Sequence, residues 1–446
     1  MNTEISPLEY ARSLQALGAH ERQRLPDWMQ TLRAQGQKAL TQAQIPDRKL
    51  ESWRYAGAQR LFRSYFEPAA PLTAADEHAA TAAAEWYTAG EGVLRIALVD
   101  GHLHLSPETL ARLPEGASVR PLTALTEGAS PLPGELVPPG RDLFAAMSAA
   151  GIGLGFLLEL ADDVQLSNPV EVVYLWRGGE GPRLLQPRCL LVLGRNASAT
   201  LLEQHLGLEG AACFSNVVSE IWLGEGAHLT HLQYQGQNAA SQHLCVEALR
   251  LATGSRYEGT RFALGGAWAR NEIEIDFAGE GAAVDLAGLF TVGKGQLNDI
   301  QTRVRHAVPG CHSEVRFKSI LHGAGRGVMD GQIAVARDAQ RSEAHLQSAN
   351  LMLARDAEID ARPTLEILAD DVQCSHGASV GQLDPLQLYY LRSRGIDTVT
   401  ATRLLAMGFA REILQRNPYP ILTGRIEQRL ADALVAAAAQ EVNADG

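Results

Sequence analysis

Cys374 and His376 form a C-x-H pair in the segment Ala369-Asp-Asp-Val-Gln-Cys-Ser-His-Gly-Ala-Ser-Val-Gly381. On an extended chain, residues two apart face the same way. A thiolate and an imidazole on one face suit iron or zinc. Two donors do not complete a tetrahedral shell, so a metal held here needs ligands from elsewhere. Other pairs are weaker. His228 and His231 are three apart in a predicted strand and would point to opposite faces. His102/His104 and His243/Cys245 share faces but have no further donor nearby in sequence.

Two motifs suggest enzymes and fail on inspection. Gly288-Leu-Phe-Thr-Val-Gly293-Lys294-Gly295 approaches a phosphate loop, but Gly295 replaces the hydroxyl residue that would hold Mg²⁺. Its interior is apolar, and no helix follows to direct its N-terminus at a phosphate. Gly377-Ala-Ser-Val-Gly381 matches G-x-S-x-G, yet no histidine lies beyond His376 to complete a hydrolase triad.

The elements that position these residues are legible as a repeat. Turn signals recur at Asn196, Gly226, Gly254, Gly281, Gly310 and Asp338, at intervals of 30, 28, 27, 29 and 28 residues. A second, out-of-phase series runs through Gly207, Gly236, Gly265, Gly293 and Gly323. Between them lie alternating segments, such as Ile273, Ile275 and Phe277 set against Glu272, Glu274 and Asp276. Two strands and two turns per repeat predict coils stacked into a parallel β-helix, each burying its apolar face on its neighbours. A Greek-key sandwich would place its turns 8–12 residues apart, without the two-phase lock.

The fold expected is therefore mainly β: a solenoid core over 151–376, an N-terminal helical region with a short strand pair over 1–150, and a C-terminal helical domain over 377–446. Helical spacing appears at Leu8, Ala11 and Leu14 and again after Pro26, while Val93–Val99 and His102–Leu105 flank an Asp100-Gly101 turn. Asp384-Pro385 and Asp397 are natural starts for C-terminal helices, which would at minimum cap the open solenoid end.

Composition narrows the function classes. Of 446 residues, 46 % are apolar and 20 % charged, with net charge −12 and no basic run, so nucleic acid is an unsuitable partner. No apolar window reaches bilayer length, and the first ten residues hold no secretory apolar run, so no membrane role and a cytoplasmic location are expected. Five widely spaced cysteines without C-x-x-C argue against a disulfide framework or a zinc ribbon.

The 369–381 segment, followed by Leu388-Tyr-Tyr-Leu-Arg-Ser-Arg-Gly395-Ile, resembles the signature of the SufD family of iron–sulfur cluster assembly scaffolds. Ile45-Pro-Asp-Arg-Lys-Leu-Glu51-Ser-Trp53-Arg-Tyr55 is similar to an N-terminal motif shared by SufB and SufD. The resemblance implies a scaffold that is not itself an enzyme. It implies a heterodimer with a SufB-like paralogue, and docking of a SufC-like ATPase through the C-terminal helices. It also implies an assembly site at the SufB–SufD interface, with His376 as the ligand and Cys374 beside it. The cluster would be transient cargo, with no cofactor held stably by the chain alone. ATPase contacts would fall on Leu405, Met407 and Phe409. Whether the chain alone forms a homodimer is left open. A β-helix polysaccharide-modifying enzyme and a solenoid adaptor without a metal role are the alternatives.

Overall fold

The computed structural model describes residues 25–63, 66–68, 92–126, 128–178, 181–208, 210 and 212–444, with side chains as far as 435. The helical spacing at Leu8–Leu14 lies outside the described residues.

From Gly155 onward the chain alternates between two sheets, and each strand pairs in parallel with the strand one coil earlier. One sheet runs through Arg188–Leu193, Cys213–Leu223, Gln242–Leu251, Trp268–Phe277, Leu297–His306 and Arg326–Val335 to Glu358–Ile367. The facing sheet runs through Val170–Trp176, Ser198–Gly207, His228–Gln235, Arg256–Ala263, Ala283–Val292, His312–Leu321 and Glu343–Met352 to Gln373–Gly381. This is the parallel β-helix expected from the turn spacing. At its N-terminal end the ladder is closed by antiparallel partners, Ala117–Pro121 on Gly155–Leu160 and His102–His104 on Leu94–Val99.

Alternation sets the interior. Ile275 pairs with Val304, and Val304 with Ile333, giving a buried aliphatic column that runs along the solenoid. Outward neighbours form rungs of charge, such as Arg303 with Glu274, 29 residues earlier, at 3.1 Å. The turn positions divide by cause. Asn196, Gly226, Gly254, Gly281 and Gly310 take φ of 54–69°, the left-handed corner that glycine tolerates. In the second series only Gly323 does so. Gly265 is needed instead for close approach, because a Cβ there would strike the backbone of Gln237 in the adjacent coil.

The N-terminal segment packs on the outer face of the first sheet. Trp53 lies beneath the guanidinium of Arg270 at 3.9 Å and stacks with Phe144 and Trp268. Arg270 is fully buried between Asp299 and Glu272, and Arg141 reaches Glu272 from the other side. Burial opposes the charge on Glu272, yet Arg270 and Arg141 outweigh it and hold the carboxyl down at about 2. Glu272, expected on the solvent side of its strand, is thus covered by this layer. Glu51 and Tyr55 extend the contact to Arg362 on the last strand of the sheet.

The helices Pro385–Ser393 and Thr398–Leu414 begin where the capping residues predict, and a third, Pro420–Ala444, follows. Asp384 accepts from the Leu386 amide, and Asp397 from the Thr400 amide. Their placement corrects one expectation. They do not cap the solenoid end. They fold back along its side, where Ala406, Ala410, Ile413, Leu422, Ile426 and Leu430 cover the outward apolar face formed by Leu232, Tyr234, Phe262, Leu289 and Ile320. That face is too apolar to be left in water, and covering it outweighs covering the end. Lys318–Glu412 at 2.7 Å and Arg416–Asp285 at 3.0 Å fix the seam. Among the described residues no helix is long and apolar enough to cross a membrane.

The two classes of turn glycine should separate on mutation. Gly254→Ala, with open space around it, should cost about 1 kcal/mol from backbone strain alone. Gly265→Ala should cost more, about 2–3 kcal/mol, because a coil must shift. Urea midpoints measure both, and an unchanged midpoint for Gly265→Ala contradicts the close-approach argument.

Candidate functional site at the open end of the solenoid

The last strand of each sheet has only one ladder neighbour. Glu358–Ile367 pairs with Arg326–Val335, and Gln373–Gly381 with Glu343–Met352. Gln373–Gly381 is almost wholly solvent-exposed, with its Val380 at 57 %, while Glu358–Ile367 is half-buried to exposed and is followed by Leu368 at 59 %. Pro363 removes one donor from the first edge, whereas Gln373–Gly381 contains no proline. This is a surface of unpaired backbone groups with apolar side chains among them.

Cys374 and His376 sit on that last strand. Their ladder partners are Ala344 and Leu346, both buried, so the two side chains continue the inward column of the solenoid. With no further coil above them, Cys374 is half-buried against the core edge and His376 is exposed. The intervening Ser375 points the other way, its hydroxyl 2.7 Å from His345 Nδ1. Burial pushes the Cys374 thiol up from its ordinary value of 9.0. The His376 imidazole has no hydrogen bond or ion pair to any described residue. No other described His, Cys, Asp or Glu joins Cys374 and His376 in a cluster of metal-ligand geometry. The chain thus offers two donors of iron- or zinc-binding type on one face, fewer than a tetrahedral shell needs.

The two enzyme-like motifs are structural. Residues 288–292 lie within the strand Ala283–Val292, and a Cβ at Gly293 would strike the His322 ring. Gly377–Gly381 is edge strand, with Ser379 exposed and its carbonyl accepting from Asn350.

On the helix Thr398–Leu414, Leu405, Met407 and Phe409 are half-buried. Met407 and Phe409 pack against the chain's own helix–sheet core, and Lys318 Nζ lies over the Phe409 ring at 5.0 Å while donating to its carbonyl. The apolar surface left open on the helical layer lies elsewhere. Leu386 and Tyr389 are 76 % and 71 % exposed, with Tyr390, Leu404 and Ile421 also in solvent. Their exposure has no local signature, because each looks like an ordinary helix-face apolar residue in sequence.

A cluster that sequence spacing does not reveal lies inside the solenoid. His243 and Cys245 acquire His205 from the facing sheet, while Glu203, His231 and Glu247 form a second group beside them. His231 is buried, with Nε2 2.8 Å from Glu203, while His228 on the same strand is partly exposed. Stacking, not local spacing, brings these residues together.

Residues 175–409 match the family model described as SUF system FeS cluster assembly, SufBD core domain. The chain is 28 % identical over 403 residues to the iron–sulfur cluster assembly protein SufD of Escherichia coli strain K12, covering 88 % of this chain and 92 % of the relative. It is 30 % identical over 298 residues to an iron–sulfur cluster assembly SufBD family protein of Synechocystis, covering 65 % and 66 %. It is 25 % identical over 422 residues to the chloroplastic protein ABCI7 of Arabidopsis thaliana, covering 92 % and 87 %. With the family match spanning more than half its length over the coils described above, the chain belongs to the SufBD family of iron–sulfur cluster assembly proteins.

Proposed function

We propose that this chain is a non-enzymatic scaffold that pairs with a SufB-like paralogue through the open solenoid end and lends His376 to the nascent cluster. The observation that carries this reading is the exposed, unpartnered imidazole on an edge strand that has one free side. A second solenoid with a similar edge would add the missing ladder neighbour, cover Leu368 and Val380, and bring its own donors to His376 and Cys374. Iron and sulfide are then cargo, assembled where two incomplete ligand sets meet.

The C-terminal helices are the proposed docking surface for a SufC-like ATPase. Leu405, Met407 and Phe409 remain candidates, although the last two already pack on their own core. Leu386, Tyr389 and Leu404 offer the larger exposed apolar area. Because these helices lie on the side of the solenoid, an ATPase bound there leaves the end strands free. Lys318–Glu412 and Arg416–Asp285 would pass ATP-driven movement of the helices to the sheet.

Two experiments test this reading. Cys374 is the one cysteine of the five that is not buried. Iodoacetamide should label the folded chain at Cys374 alone, with a rate still climbing above pH 9 because the thiolate is the nucleophile and burial raises the thiol. Partner binding should block the label, and mass spectrometry locates it; undiminished labelling in the complex contradicts an interface there. In the purified three-protein complex, His376→Ala should leave subunit stoichiometry intact and slow cluster formation about tenfold or more. A wild-type rate removes the ligand role and favours an adaptor without metal chemistry.

A further inference from the structure

The interior cluster is distinct from the end-strand pair and lies several coils away from it. His205, on the strand Ser198–Gly207, and His243 and Cys245, on Gln242–Leu251, converge from facing sheets. All three are buried, and one ligand atom from each lies within 4.8 Å of the others.

Each imidazole is held at one nitrogen and idle at the other. His205 Nε2 lies 3.0 Å from Glu203 Oε1, and its ring stacks on Tyr174 at 4.4 Å between centroids. His243 Nδ1 lies 2.8 Å from Ser215 Oγ, which in turn accepts from Gln237 Nε2 at 3.0 Å. His205 Nδ1 and His243 Nε2 are left buried without a hydrogen-bond partner among the described residues. Such orphaned groups are costly unless something occupies the space they face. A carboxylate or hydroxyl fixing the far nitrogen of an imidazole is the arrangement that orients a metal-bound histidine.

The neighbouring trio does not compete for a cation. Arg261 already lies among Glu203, His231 and Glu247, with Nε 3.0 Å from Glu247 Oε2 and further contacts to His231 and to the Tyr257 hydroxyl. Glu247 pairs with that guanidinium, whereas Glu203 is bonded to the His205 and His231 imidazoles, so a negative charge remains in the dry interior when those imidazoles are neutral.

We propose that His205, His243 and Cys245 form an interior site for one thiophilic divalent cation of the iron(II) or zinc class. Two nitrogens and one sulfur suit that class, and three protein donors leave a fourth position for water or a small sulfur ligand. On binding, the Cys245 S–H loses its proton to solvent and the thiolate bonds the cation. The cation and thiolate together add one positive charge, which offsets the surplus carboxylate. Because every donor is buried, the cation enters while the coils stack.

The test uses the full chain carrying Cys374→Ser and His376→Ala, so that failure at the end-strand site and failure here are separable. Cobalt(II) is supplied in the growth medium, and the desalted protein is analysed for cobalt content and by X-ray absorption. About one cobalt per chain is expected, with mixed sulfur and nitrogen scattering and a thiolate-to-cobalt band in the near ultraviolet. Adding Cys245→Ser should abolish that band and reduce retained cobalt about tenfold or more. The absorption spectrum of the protein with Cys245 intact decides the matter even if that variant does not fold. Folded protein without cobalt, or cobalt without sulfur ligation, overturns the site.

Discussion

In a parallel ladder each strand satisfies its backbone through the strands on either side, so a solenoid of finite length must end on strands with one neighbour. Here the N-terminal end is closed by two antiparallel strands, and the C-terminal end is not. The chain still has three helices to place after Gly381, and it places them elsewhere. Their apolar residues are drawn to the outward face around Leu232, Phe262 and Leu289, where far more apolar area can be buried. The open end is therefore a consequence of where the hydrophobic surface lies, and the exposure of His376 follows from it.

Polar burial is the second consequence of stacking. The first sheet carries Arg270 inside a network of Asp299, Glu272 and Arg141 under Trp53, which ties the N-terminal layer to the coils. Removing one member of such a network strands a buried charge, typically at about 3–5 kcal/mol, so this layer is integral to the fold. The same N-terminal segment reaches Arg362 on the final strand through Glu51 and Tyr55. It thereby supports one edge of the open end without covering it.

Much of this was legible in the chain. Turn spacing predicts the coil length, and the alternation around Ile275 predicts which side chains line the core. The C-x-H spacing predicts that Cys374 and His376 share a face. Properties set by distant residues were not legible. Burial of Glu272 depends on Arg141, 131 residues away, and the cover over the second sheet depends on helices from the far end of the chain. Of the His205–His243–Cys245 group only the His243/Cys245 pair shows in local spacing, because His205 comes from a strand in the facing sheet. In a solenoid the repeat is written in the sequence, whereas neighbours across the interior are written only in the register.

Hydrogen–deuterium exchange tests the central claim most directly. Amides of Gln373–Gly381 should exchange quickly in the isolated chain wherever the ladder leaves them unpaired, and should become protected when a SufB-like partner is added. Amides of the central coils should not change. Protection confined to the C-terminal helices, with the end strand exchanging as before, would contradict an interface built on the open solenoid end.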